Sequence, residues 1–172
     1  MTSAEANQAA VKGILARTPD AEVIQIPVSD GGEGWLDAFQ AAISGELVDV
    51  NVKDPLMRPI MAHYLIKKDT AVIEIAQASG LTLIAPEERN PLIATSYGTG
   101  QLIMDAIRRG CKHIIVGLGG SATSDCGRGM LRAIIDASNC STWDEVTSLR
   151  DVRFTIATDV TNPLCGENGA AS

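Results

Sequence analysis

Aromatic side chains are scarce: two Trp, two Tyr and two Phe make up 3% of 172 residues. Aliphatic residues and alanine must therefore fill the core, and a hydrophobic content of 45% is enough for one domain or for parts of two. Positive charge is also short. Fourteen Lys and Arg stand against 21 Asp and Glu, for a net charge of −7. That balance opposes nonspecific binding to nucleic acid or to an anionic membrane surface. It leaves room for an anionic small molecule held by local fields. The basic clusters are short: Lys67-Lys68, and Arg108-Arg109 close to Lys112. The latter suits a helix C-terminus.

Other absences narrow the class further. Four cysteines have no CxxC pair and no zinc-ligand spacing. No signal-peptide pattern opens the sequence, so the expected compartment is the reducing cytoplasm. No apolar run approaches the ~18 residues of a membrane helix. His63 and His113 are far apart and read as structural. There is no G-x-x-x-x-G-K-[ST] loop, and no G-x-G-x-x-G with an acid at the right distance.

What is present alternates strand-like and helix-like runs. Thr2 and Glu5 have capping-box spacing, which predicts a helix from the first residues to just before Thr18-Pro19. A strand is expected over Val23 to Val28, a glycine turn at 29–34, and a helix from Trp35 to Ile43 with Gly45 as its stop. Three strands follow as a meander, near 47–52, 60–66 and 71–75, which suggests a domain boundary close to residue 46, between 1–45 and 46–172. Ala76 to Gly80 reads as a short helix. Thr95 to Gly100 reads as a turn feeding a helix over 101–109. Ile114 to Leu118 reads as a strand, 128–137 as a helix, and Phe154 to Ala157 as a final strand. The sequence ends within a glycine-rich stretch, Cys165 to Ser172, which is read as belonging to a longer protein.

The densest signal is Gly117-Leu118-Gly119-Gly120-Ser121-Ala122-Thr123-Ser124-Asp125-Cys126-Gly127. Its glycines let backbone amides approach a ligand, and the helix after it is expected to offer unpaired N–H groups to an anion. In an open α/β sheet, turns of this kind gather at the C-terminal edge of the strands. Each turn brings oxygen ligands: Asp30 and Glu33 with Gly31 and Gly32; Ser96 and Thr99 with Gly98; Ser121, Thr123 and Asp125 with Gly119 and Gly120; and Asp159 with Asn162. Carboxylates beside bound phosphate suit Mg²⁺, and phosphoryl transfer needs such an assembly together with a carboxylate that takes a hydroxyl proton. Asp125 and Asp159 are the candidates for both catalysis and metal binding, and either could hold either role.

The stretch Gly117 to Ala122 resembles the GLGSSAA loop of the GHMP sugar and mevalonate kinases, a family that usually has a proline upstream, where Arg109 to Lys112 stand here. A fuller resemblance covers essentially the whole chain. Ile26 to Gly34, Ala71 to Ala76 with Ala78-Ser79-Gly80-Leu81, Asn90-Pro91-Leu92 with Thr95 to Ile103, the main loop, and Ala157 to Leu164 together resemble the bacterial glycerate kinases. That resemblance implies two α/β domains, one flavodoxin-like and one likened to a restriction-enzyme fold, with the active site between them. It implies Mg-ATP and D-glycerate as ligands and phosphoglycerate, usually the 2-isomer, as product, within glyoxylate or related acid metabolism; it sets no oligomeric state. It places site residues in Asp30 to Gly34, Ser96 to Gly100, Gly119 to Asp125, and Asp159 with Asn162. The chain departs from the pattern in lacking a PDSFK-like opening strand and an FGPQKG-like continuation. A non-catalytic piece of the same family is therefore the other reading. Trp35 stands where threonine is usual. Cys126 stands where glycine is usual, so position 126 is expected to avoid left-handed backbone.

Overall fold

The structure, a computed structural model, describes residues 2–29, 31–161 and 163–169. Helix α1, Ser3–Arg17, starts as its capping box predicts: the Glu5 amide donates to Thr2 Oγ1 at 3.2 Å and the Thr2 amide to Glu5 Oε2 at 2.7 Å. It stops before Thr18-Pro19. No residue of α1 is buried. Asn7 Nδ2 donates to the Ile26 carbonyl and the Val28 amide to Ser3 Oγ, which tethers the helix to the segment that follows.

That segment is a correction. Val23 to Val28 has strand composition but forms no ladder, and Ile24, Ile26 and Val28 are 77%, 68% and 71% exposed. Strand propensity is realised only against a neighbour that completes the hydrogen bonds, and the segment lies beside α1 instead.

Five strands form one mixed sheet in the order β1-β2-β3-β4-β5. Strands β1 (Glu46–Lys53), β2 (Pro59–Lys67) and β3 (Thr70–Glu74) make the expected antiparallel meander, with Val50 opposite Ala62 and Leu65 opposite Val72. The first turn is built on Asp54, which accepts from the amides of Leu56 and Arg58 and from Arg58 Nε. Strands β4 (His113–Gly117) and β5 (Arg153–Ala157) add in parallel. The crossovers are α3 (Ala76–Ser79) with α4 (Tyr97–Arg108), then α5 (Arg128–Ala137).

The pleat sorts the core by period two. Ala62, Tyr64, Ala71, Ile73, Ile114 and Val116 face Leu102, Ile103, Ala106 and Ile134 of α4 and α5. On the other face Leu65, Val72 and Ile115 meet Leu36, Trp35, Phe39 and Ile43 of α2 (Trp35–Ile43). Each large aliphatic buried here contributes about 1.5–3 kcal/mol. The expected boundary near residue 46 falls between α2 and β1, yet α2 packs on β2 and β3, so it shares the core of the sheet.

Helix α4 begins at Tyr97, four residues before the expected start. Gly98 and Gly100 lie inside its first turn and are buried. A Cβ on Gly98 would collide with the Lys53 carbonyl, and one on Gly100 with the Met130 carbonyl. These glycines permit close packing and do not form a ligand-facing turn. Among the described residues, no helix is long and apolar enough to cross a membrane.

Candidate functional site

Because β3, β4 and β5 run parallel, Glu74, Gly117 and Ala157 end at one edge. The turn before α2 meets the main loop there. Gly31, at φ +95°, presents its carbonyl to the Gly119 amide at 3.0 Å. A Cβ on Gly117 would sit 2.6 Å from the Gly31 carbonyl oxygen and 3.0 Å from the Trp35 ring, and one on Gly119 would run into the backbone of Gly32. The Leu118 amide donates to the Ala157 carbonyl at 3.1 Å, and the Ala122 amide to the Ser79 carbonyl at 2.8 Å. Both glycine segments are therefore fixed by backbone contact.

Within the loop, Ser121 and Thr123 serve the turn itself. Ser121 Oγ takes the Thr123 amide and donates to its carbonyl; Thr123 Oγ1 takes the Asp125 amide and donates to the Ala94 carbonyl. Among the described residues, the amides of Gly120, Ser121, Ser124 and Cys126 meet no protein acceptor. Cys126 is left-handed at φ 54°, against the expectation for a residue with a Cβ. Such a residue costs roughly 1–2 kcal/mol.

The expectation of open N–H groups at the start of α5 needs correcting. Asp125 accepts from the amides of Gly127 and Gly129 at 3.0 Å each, its own carbonyl accepts from Arg128, and Ser96 Oγ accepts from Met130. The helix start is thus capped from inside. The Asp125 carboxylate also accepts from the Ser96 amide at 2.9 Å and from the Ser96 hydroxyl. Burial pushes its pKa up, but the amides of Ser96, Gly129 and Gly127 and the Ser96 hydroxyl outweigh burial and hold it below the ordinary carboxylate value.

The other expected residues divide. Gly31 and Gly32 meet Gly119, Gly120 follows it in the loop, and Ser121, Thr123, Asp125 and Ser96 line one cleft. Thr99 is fully buried, bonded to Ser79 Oγ at 2.8 Å, and is closed to a ligand. Glu33 is exposed and lines a separate groove between α1 and α2. Asp159 is exposed, two residues beyond the Ala157–Gly117 pair, at the edge that carries the loop. Asp30 and Asn162 lie outside the described residues. Among the described residues, no three His, Cys, Asp or Glu side chains cluster as a metal site.

Beside the loop opens a cleft of about 760 Å³, walled by Val116, Phe154, Ile156, Met130 and Leu131. Sequence reasoning missed Glu74, a buried carboxylate at the same sheet edge. The signal was a charged residue inside a run of β-branched and aliphatic ones.

Glycine turns packed together at the C-terminal edge of parallel strands, beside a cleft, define an α/β protein of the small-molecule-binding class. The match to known families makes this specific. The model of the Glycerate kinase family matches residues 1–172, and the chain belongs to that family. It is 40% identical to the glycerate 2-kinase of Escherichia coli strain K12, over 99% of this chain and 50% of that protein. It is 41% identical to the glycerate kinase of Bacillus cereus, over 97% of this chain and 49% of that one. A crystal structure of a glycerate kinase 2 from Salmonella typhimurium LT2 superposes with a TM-score of 0.80 at 36% identity, covering 99% of this chain and 51% of that one. The chain spans about half the length of the relatives it matches. A kinase family implies nucleotide use.

Proposed function

We propose that this chain supplies the phosphate-handling part of a glycerate kinase that transfers the terminal phosphoryl group of ATP to D-glycerate, giving 2-phosphoglycerate. The observation that carries the proposal is the direct seating of turn 31–34 on loop 117–127, with the amides of Gly120, Ser121, Ser124 and Cys126 meeting no protein acceptor among the described residues. Those amides suit the oxygens of a phosphate. With the α5 terminus already capped, the loop itself and not the helix dipole is the proposed contact.

Asp125 is proposed as a clamp, since its oxygens already hold donors from Ser96, Gly127 and Gly129. Proton acceptance from the substrate hydroxyl falls to Asp159, which is exposed at the same edge. A magnesium ion bound with the nucleotide would offset phosphate charge, and Asp159 would supply a carboxylate to it. The cytoplasm is the proposed compartment, in keeping with four free cysteines.

The test is a coupled ADP-release assay with and without D-glycerate. It is run on the chain and on its fusion to the part of the Bacillus cereus relative that this chain does not cover, with phosphorus NMR of the product. Glycerate-dependent release with a 2-phosphoglycerate signal is expected of the fusion. Release that ignores glycerate, or none from either protein, overturns the proposal.

A further inference from the structure

On the α2 face of β3, Val72 packs under Leu36, and Glu74 comes two residues later on the same face. The pattern calls for another apolar side chain there. A carboxylate stands instead, 3% exposed. Glu74 Oε2 accepts from the Leu36 amide at 3.2 Å.

Helix α2 needs that acceptor. Its N-cap is Gly34, left-handed at φ 85° and without a side chain to offer, while the first N–H groups of any helix lack partners within it. Trp35 finds the Gly32 carbonyl at 3.1 Å; Leu36 finds Glu74. The Gln77 side chain, from α3, favours the charged form of the carboxyl. In the sheet register Glu74 lies opposite Gly117, whose bare Cα leaves room for the Trp35 ring and the Gly31 carbonyl. The path is continuous, from carboxylate to Leu36 amide to the turn to Gly119.

We propose that Glu74 is a positioning residue: from β3 it caps α2 and thereby sets the glycine turn 31–34 against Gly117 and Gly119. Its bearing on turnover rests on the phosphoryl-transfer reading above, whereas the capping does not. Burial raises the pKa of the carboxyl, and the Leu36 amide and Gln77 draw it partly back. The charged groups acting on it are Asp37 from α2 and His63 from β2. Opening that hydrates Glu74 therefore becomes easier as pH rises from the ordinary glutamate value of 4.5 toward neutrality.

Hydrogen exchange on the full chain, read as protection factors, tests this. In Glu74→Ala, protection at residues 31–36 should fall about fivefold, the effect of a lost cap, with Ile73 and Ile114 unchanged. Glu74→Gln keeps an acceptor oxygen; it should retain the protection at neutral pH and lose its variation with pH. Unchanged protection at 31–36 in Glu74→Ala overturns the proposal, as does a loss shared equally by the core strands, or a pH dependence that survives in Glu74→Gln. Absence of glycerate-dependent ADP release from the unaltered chain and its fusion counts against the proposed function alone, because the exchange pattern does not depend on it.

Discussion

Ser96 donates its hydroxyl to the Asp125 carboxylate, 3.0 and 2.9 Å from its two oxygens, and accepts the Met130 amide at 3.0 Å. One buried hydroxyl thus joins the start of α4, the main loop and the start of α5.

This junction sets a pH dependence. The pKa of Asp125 is lowered by folding, so its stabilising contribution is complete above the ordinary value of 3.8 and is lost as pH falls through the folded value. Glu74 is raised, so its ionisation costs stability as pH rises above 4.5. Thermal melts by circular dichroism should show Asp125→Asn less sensitive to acid below about pH 4 and weaker at neutrality by roughly 2–3 kcal/mol. Glu74→Gln should flatten the neutral side. The same acid sensitivity in Asp125→Asn as in the unaltered chain would contradict the clamp.

A pair of glycine substitutions separates packing from flexibility. Gly98→Ala places a methyl group on the Lys53 carbonyl and should cost about 1–3 kcal/mol or more. Gly13→Ala lies in exposed helix with nothing within 4 Å and should add about 0.5–1 kcal/mol. Denaturant midpoints measure both, and equal effects would show that Gly98 is not packed as described.

Asp159 and Asp125 should part company in turnover. In the fusion protein, Asp159→Asn is expected to lower kcat by about 10²–10⁴-fold with an unchanged melting curve, as loss of a general base does. Asp125→Asn should instead raise KM while lowering stability. Activity within about threefold of the unaltered protein would remove Asp159 from the chemistry.

Exposed apolar surface on the unpaired segment should drive self-association. Replacing Ile24 and Ile26 by Lys should reduce light scattering at equal concentration and change stability by no more than about 0.5 kcal/mol. A large loss of stability would mean that these side chains are packed in solution.

Local signals were read correctly wherever neighbours in sequence settle them. The capping box at Thr2 and Glu5, the end of α1 before Pro19, and helices 35–43 and 128–137 all follow from contacts within a few residues. Alternation likewise marked β1, and the turns at 54–56 and 67–69 marked off β2 and β3. Where the glycines lead could not be read so directly. Gly31 and Gly119 are used for close approach between two turns at the sheet edge, whereas Gly98 serves close approach between helix and strand, and both look alike in a glycine-rich string. Val23 to Val28 shows the same limit, since a strand exists only when something pairs with it.

Taken by itself, the sequence determined the family, the α/β class, most element boundaries and the loop that holds the candidate site, because these rest on local propensity and on motifs of fixed spacing. Only the tertiary structure decided that Asp125 spends its oxygens on Ser96, Gly127 and Gly129, that Thr99 is sealed against Ser79, and that Glu74 caps a helix 38 residues before it. Those roles depend on which polar partners the folded chain brings within 3.2 Å of one another, and no spacing along the chain encodes that distance.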